Sequence, residues 1–364
     1  MACSTNELSR QLFCLYATET LDKSNAVMGT SAVIKGCLAL YYTAAEEKKF
    51  VENYSFPSTI TGISLLSRAG YVGKLNQQFK DNIQGHFLHT LVKRGSNPKS
   101  IVREINEWFA MDTDGKIDDM VNEKDIENLN ESKPVALYVR STFYGEWMFW
   151  FDDEMRKEKF HLPGSDTTMV KMMNNSEIRR VLVSDMENEL EATVVQLPYQ
   201  HDKGCFIAIM PDKPSDKEDL VKLLSSLNLP NLLNSFSKNV TCSTLKMPKF
   251  TTQTNLMLDG LNSKLEEGLG RIEALKDLKK KAPNYFSNII DGGIRNGELG
   301  VSFNLKTTIE NYTRGMDIIT DCGVEYSDCL PEDTREIVFD KPMLYLVVDR
   351  NGYIIIIGTL VKPE

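Results

Sequence analysis

Residues 96–117 read SNPKSIVREINEWFAMDTDGKI. Asn97 can accept hydrogen bonds from the first turn of a helix. Pro98 can open that helix, because the N–H it lacks would be unpaired there anyway. Ile101, Ile105, Trp108 and Phe109 then recur at helical spacing, which gives the helix one apolar face. The same period appears nearer the N-terminus. Leu8, Leu12, Leu15 and Tyr16 mark an amphipathic helix over residues 7–24, and Ile34, Cys37, Leu38 and Tyr41 mark a buried one over 33–42.

Downstream the period changes. Residues 134–143 and 193–197 are rich in β-formers, and 205–210 form a continuous apolar run bounded by Gly204 and Pro211. Leu220, Leu223, Leu224 and Leu227 return to helical spacing within 215–236, and a further helical stretch is read within 256–278, before Lys279-Lys280-Lys281 and Pro283. Residues 302–312 and 343–348 read as strands. The last hairpin turns at Arg350-Asn351-Gly352, since Asn-Gly supplies the positive φ angles of a tight turn. Helices fill the first third and strands the last, an α+β arrangement. With neither repeat nor low-complexity linker, residues 1–364 read as a single domain.

The composition excludes several classes. Hydrophobic residues make up 41% of 364, which is enough for a core, so the chain is not disordered. Asp+Glu 51 against Lys+Arg 42 leaves a net charge of −9, which argues against nucleic acid and anionic membrane as partners. No apolar run reaches the length of a membrane span, the most apolar being Tyr353 to Gly358 with its isoleucines. The first residues show no signal peptide, so the chain reads either as intracellular or as a mature secreted form. Seven scattered cysteines form no CxxC pair, and Cys322 and Cys329 are the one close couple. Asn53, Asn130, Asn174, Asn239 and Asn311 stand in glycosylation triplets.

No active site emerges. His86 and His89 could share a helix face, but two histidines fall short of a closed metal site, and His161 and His201 stand alone. HExxH, Walker and GxSxG motifs are missing. Gly292-Gly293-Ile294-Arg295-Asn296-Gly297 reads as a turn. Carboxylates are abundant, but none is marked by spacing as an acid–base pair. The expectation is a protein that is not an enzyme, with no cofactor and no metal. The anomaly is the segment between Gly315 and Asp340, which carries acids at Asp317, Asp321, Glu325, Asp328, Glu332, Asp333 and Glu336, and one base, Arg335. This irregular stretch is too long for an ordinary connection between two strands.

The chain resembles a serpin over nearly its full length. Phe13-Cys14-Leu15-Tyr16 is similar to the FxLY of the family's first helix. Ile105-Asn106-Glu107-Trp108 with Thr113-Asp114-Gly115-Lys116-Ile117 is similar to INxWVxxxTxGKI. Phe143-Tyr144-Gly145-Glu146-Trp147 with Phe151 resembles FKGxWxxxF, and Met247-Pro248-Lys249-Phe250 resembles LPKF. Met172-Met173, Leu197-Pro198-Tyr199 with Met210-Pro211-Asp212, Phe339-Asp340-Lys341-Pro342 and the closing Gly358-Thr359-Leu360 with Pro363 fit in the same order. The resemblance implies an α+β serpin fold with three β-sheets, about eight or nine helices and an exposed reactive loop over about 315–338. The helix D region, between Glu47 and Leu65, is shortened.

In the family, a cleaved loop inserts into the main sheet and drags the trapped protease with it, which favours small residues in the hinge. Here the hinge is Gly315, Met316, Asp317, Ile318 and Thr320, resembling atypical insect, silkworm-like members. Inserted, Met316, Ile318, Thr320 and Cys322 would turn inward, and each oversized side chain costs roughly 1–3 kcal/mol. Slipping by one residue would bury Asp317 and Asp321, which is worse. Leu305, Val139-Arg140 and Gly29-Thr30-Ser31-Ala32 replace the family's polar sheet-opening elements. Family spacing puts the scissile bond at Leu330-Pro331, with Val324, Tyr326, Asp328, Cys329, Thr334 and Arg335 as loop contacts. Proline after the bond disfavours serine proteases, whereas papain-like proteases read an apolar residue two places before the cut. The implied function is reversible, non-suicide inhibition of a papain- or cathepsin-L-like cysteine protease by a secreted monomer. The alternatives are irreversible inhibition of a serine protease and a non-inhibitory binding or storage role.

Overall fold

The computed structural model describes residues 2–19, 25–31, 34, 62–67, 89–92, 97–112, 115, 118–127, 135–140, 145–149, 151–175, 179–259, 301–311, 313, 315–316 and 335–363. The chain divides into two compact units, residues 31–142 with 255–307, and residues 2–30 with 143–254 and 308–364. The expected helix over 33–42, the Gly292–Gly297 turn and the Cys322–Cys329 couple lie outside the described residues, apart from Ile34.

Among the described residues the α-helices, in chain order, are α1 (Ala2–Glu19), α2 (Pro98–Asp112), α3 (Glu123–Glu127), α4 (Glu187–Leu190), α5 (Lys217–Ser226) and α6 (Leu229–Asn234). α2 begins as its sequence dictates. The Asn97 carboxamide accepts from the Lys99 N–H at 3.0 Å, Pro98 is the first helical residue, and Ile101, Ile105 and Phe109 are buried. The first helix starts earlier than its periodicity indicates, at Ala2, and buries Leu8, Leu12, Phe13 and Tyr16. The single helix read over 215–236 is two. Leu227 is extended, and the Asn228 side chain accepts from Asn231 N–H to cap a new helix that has Pro230 in its first turn.

The strands are β1 (Ala26–Met28), β2 (Gly62–Ser67), β3 (His89–Val92), β4 (Val135–Arg140), β5 (Gly145–Glu146), β6 (Arg156–His161), β7 (Thr167–Asn175), β8 (Arg179–Val183) and β9 (Ala192–Pro198). They continue with β10 (Gly204–Pro211), β11 (Lys238–Pro248), β12 (Phe250–Asp259), β13 (Val301–Asn311), β14 (Gly315–Met316), β15 (Arg335–Val338), β16 (Met343–Asp349) and β17 (Ile354–Leu360). Among the described residues they build three sheets. One has ten strands, ordered β1-β17-β16-β10-β9-β8-β11-β7-β6 with β15 paired to β11; one has five, ordered β12-β13-β4-β2-β3; and one is the pair β14-β5.

β12 corrects the helical reading of 256–278 at its start, because Leu256 to Asp259 continue a strand. Residues 260–278 lie outside the described set. His89 opens β3, so it is on a strand rather than a helix face, and His86 is not among the described residues. The triplet asparagines Asn174, Asn239 and Asn311 lie in β7, β11 and β13, and the Asn174 amide donates to Asp152 at 3.3 Å.

The core of the larger sheet is set by β16 and β17, in which every residue is buried. Their hairpin turns at the residues read, but of the Asn351-Gly352 pair the glycine alone takes a positive φ. The Asp349 carboxylate accepts from the N–H groups of Asn351 and Tyr353 at 2.9 and 2.8 Å, and Gly352 takes φ +80°. Tyr345 pairs across the ladder with Gly358 and stacks on Phe206 at 5.5 Å. A Cβ on Gly358 would lie 2.1 Å from Tyr345 Cζ, so only glycine fits there. Asn6 of α1 ties the chain's beginning to this hairpin, donating to Gly352 O at 2.7 Å and accepting from Ile354 N–H at 2.8 Å.

Candidate functional site

The segment 317–334 lies outside the described residues, and with it Asp317, Ile318, Thr320, Val324, Tyr326, Asp328, Cys329, Leu330, Pro331 and Thr334. What the structure describes are its two anchors.

The first anchor is built on a buried tryptophan. Trp147 stacks on Tyr199 with centroids 5.0 Å apart and meets Phe206 and Phe151 edge-on at 5.7 and 6.1 Å. Such aromatic contacts add about 0.5–1.5 kcal/mol each beyond burial. The main chain beside the ring is held as firmly. The Met148 N–H donates to Pro198 O at 2.9 Å, and Gln200 Nε2 donates to Trp147 O at 3.0 Å. β5, whose last residue directly precedes Trp147, pairs with the residues that lead into segment 317–334. Gly315 pairs with Glu146 and Met316 with Gly145 in an antiparallel ladder, and the Phe151 N–H donates to Thr313 O at 2.8 Å. Two of the hinge residues read from the sequence, Gly315 and Met316, are therefore placed in a ladder of their own, outside the five-stranded sheet. Met148 and Phe149 stand exposed next to it.

In that five-stranded sheet, β4 and β13 are direct parallel neighbours from Val135↔Val301 to Arg140↔Lys306. Leu305 is the register partner of Val139, and Ile63 of β2 pairs with the same valine, so three apolar residues share one row. Arg140 and Lys306, both basic, share the next.

The second anchor is β15. It runs parallel to β11, and its first residue, Arg335, partners Cys242 just where the register skips to Thr244. The Arg335 guanidinium meets the Glu187 carboxylate with both of its terminal nitrogens, at 2.7 and 3.1 Å. Those hydrogen bonds raise the Arg335 pKa further above its usual value, against the opposing effect of burial. Glu187 is itself held, because its Oε1 also accepts from the Val194 N–H at 3.0 Å. Beyond β15, the Phe339 N–H donates to Lys246 O and Lys341 Nζ to Asp212 O.

The remaining candidates do not converge. His161 Nε2 is 3.7 Å from an Asp340 carboxylate oxygen, and His201 sits exposed in a short turn at φ +58°. Among the described residues, no three His, Cys, Asp or Glu side chains could hold a metal ion. Of the residues singled out in the sequence, Gly315, Met316 and Arg335 are among those described; Glu187, the partner of Arg335, was not singled out, because its neighbours carry no pattern that points across the chain to residue 335.

A family model described as Serpin (serine protease inhibitor) matches residues 63–363. Serpin-Z10 of Arabidopsis thaliana is 26% identical over 309 residues, 80% of this chain and 73% of that protein. Antichymotrypsin-2 of Bombyx mori is 27% identical over 159 residues, 42% of this chain and 40% of that one. The crystal structure of Serpin48 from the insect Tenebrio molitor superposes with a TM-score of 0.70 at 17% identity, covering 99% of this chain and 98% of that one.

Proposed function

The chain belongs to the serpin family, and on that premise we propose that residues 1–364 act as one inhibitory domain, with residues 315–338 as a bait loop that stays outside the main sheet. The inhibition is reversible, and its target is a papain- or cathepsin-L-like cysteine protease met outside the cell by the monomer. The observation that carries this reading is the pairing of Gly315-Met316 with Gly145-Glu146. Insertion would have to begin by dissolving that ladder and prising apart β4 and β13, which are hydrogen-bonded neighbours. It would then seat Met316 and Ile318 where small residues belong, at roughly 1–3 kcal/mol each. A loop tied at both ends loses less freedom on docking, so shape complementarity alone can give tight binding. Leu330, Tyr326 and Val324 supply the apolar residues that a papain-like cleft reads, and Pro331 disfavours serine proteases.

The test is incubation of the intact chain with papain-like and chymotrypsin-like enzymes, followed by activity assays and denaturing gels. Inhibition of the papain-like enzymes with no gel-stable adduct is expected. A covalent adduct with a serine protease would replace this reading with the suicide mechanism. Absence of inhibition across the panel would replace it with a non-inhibitory role.

A further inference from the structure

Between Arg314 and Lys341 the chain has one basic residue, Arg335. A trypsin-like protease recognises a basic side chain by drawing it into an acidic pocket, and it needs the flanking backbone extended and free to pair with its own. Both requirements are blocked here. The Arg335 guanidinium is in a two-point contact with Glu187, a fork that matches a carboxylate in geometry as well as charge. The pair is partly buried, with side-chain exposures of 37% and 21%. The backbone of Arg335 to Val338 is paired with β11. Where that ladder is irregular, between Cys242 and Thr244, the ion pair holds the strand's first residue in place. Glu187 is held in turn by the Val194 N–H, which donates to its Oε1 at 3.0 Å.

We infer that Glu187 is a specificity-determining residue that withholds the loop's lone arginine from trypsin-like proteases. This inference rests on the reading of residues 315–338 as the protease-facing segment. An exposed arginine at the C-terminal end of a bait would invite a cut that severs the loop from its anchor without productive binding. The Glu187 carboxylate occupies the guanidinium that the attacking protease would need, so recognition must first break a charge-assisted pair. Glu332 and Asp333, which precede Arg335 in the chain, disfavour an acidic pocket further.

The experiment is limited trypsinolysis of the full-length chain, with mass spectrometry following cleavage after residue 335 relative to cleavage after the exposed Lys222 in the same molecules. Glu187→Gln should raise that ratio up to about fivefold, the change that follows from losing one partly exposed pair. Arg335→Lys keeps a residue trypsin can cut after but loses the fork, and should raise the ratio severalfold. A general loss of stability would speed all bonds alike and leave the ratio unmoved. An unchanged ratio in both variants overturns the inference, as does rapid cutting after Arg335 in the wild-type chain. Papain inhibition, measured in parallel, reads the bait proposal separately. Its absence alongside a raised ratio overturns that proposal and leaves the masking of Arg335 standing.

Discussion

Cutting the chain once inside residues 317–334 and melting the product asks directly whether the freed loop can enter the sheet. Insertion would replace the ladder between β4 and β13, six register pairs long, with two ladders of that length. The net gain is one ladder, and six hydrogen bonds at about 0.5–1.5 kcal/mol give roughly 3–9 kcal/mol. Against it stand Met316 and Ile318, whose bulk together costs roughly 2–6 kcal/mol. The two nearly cancel. Unfolding entropy of about 2.1 cal/mol/K per residue makes each kcal/mol worth about 1.3 °C in a chain of this length. An uncancelled ladder would therefore raise the melting temperature by about 4–12 °C. Nicking inside 317–334 with a protease outside the papain class, followed by differential scanning calorimetry, should show a rise below about 4 °C. A larger rise in the unaltered sequence would refute the steric argument. The double variant Met316→Ala with Ile318→Ala should recover the larger rise, and its failure to do so would show that something other than bulk keeps the loop out.

Gly358→Ala should cost about 3 kcal/mol or more, because the new Cβ would overlap the Tyr345 ring in a sheet whose neighbours cannot retreat. A melting temperature equal to wild type would disprove the close approach. Burial pushes the Cys205 thiol up to about 12 from 9.0. The unfolded chain therefore sheds that proton first, and stability that is full below pH 9 is lost as pH rises toward 12. At pH 10.5 the loss is about 2 kcal/mol, and urea midpoints should fall less steeply with alkali in Cys205→Ala than in wild type.

Local signals were legible where neighbours in sequence are also neighbours in space. Asn97-Pro98 starts α2, Asn351-Gly352 turns the last hairpin, and the apolar runs of β10, β16 and β17 reflect burial on both faces. The reading failed where distant pairing overrides propensity. Leu256, Met257 and Leu258 favour helices, but they extend a strand whose earlier residues alternate, with Thr252 buried between exposed Thr251 and Gln253. The break between α5 and α6 was visible in Asn228 and Pro230 but was outvoted by the leucine spacing. The site divides the same way. The irregular, acid-rich stretch after Gly315 is a composition signal and stands out in the sequence. Its partner strand β5 is two residues long, and Glu187 lies 148 residues from Arg335, so neither leaves a mark that periodicity can register.

The placement of the two anchors has a practical consequence. β14 and β15 belong to the same compact unit, and everything after the loop runs into the interior of the ten-stranded sheet, with β16 lying between β17 and β10. A chain severed between its anchors stays interwoven, its carboxyl-terminal fragment gripped by β11, β10 and the Asn6 side chain. Gel filtration would register one particle of unchanged size. The break would be visible only after denaturant had drawn the fragments apart.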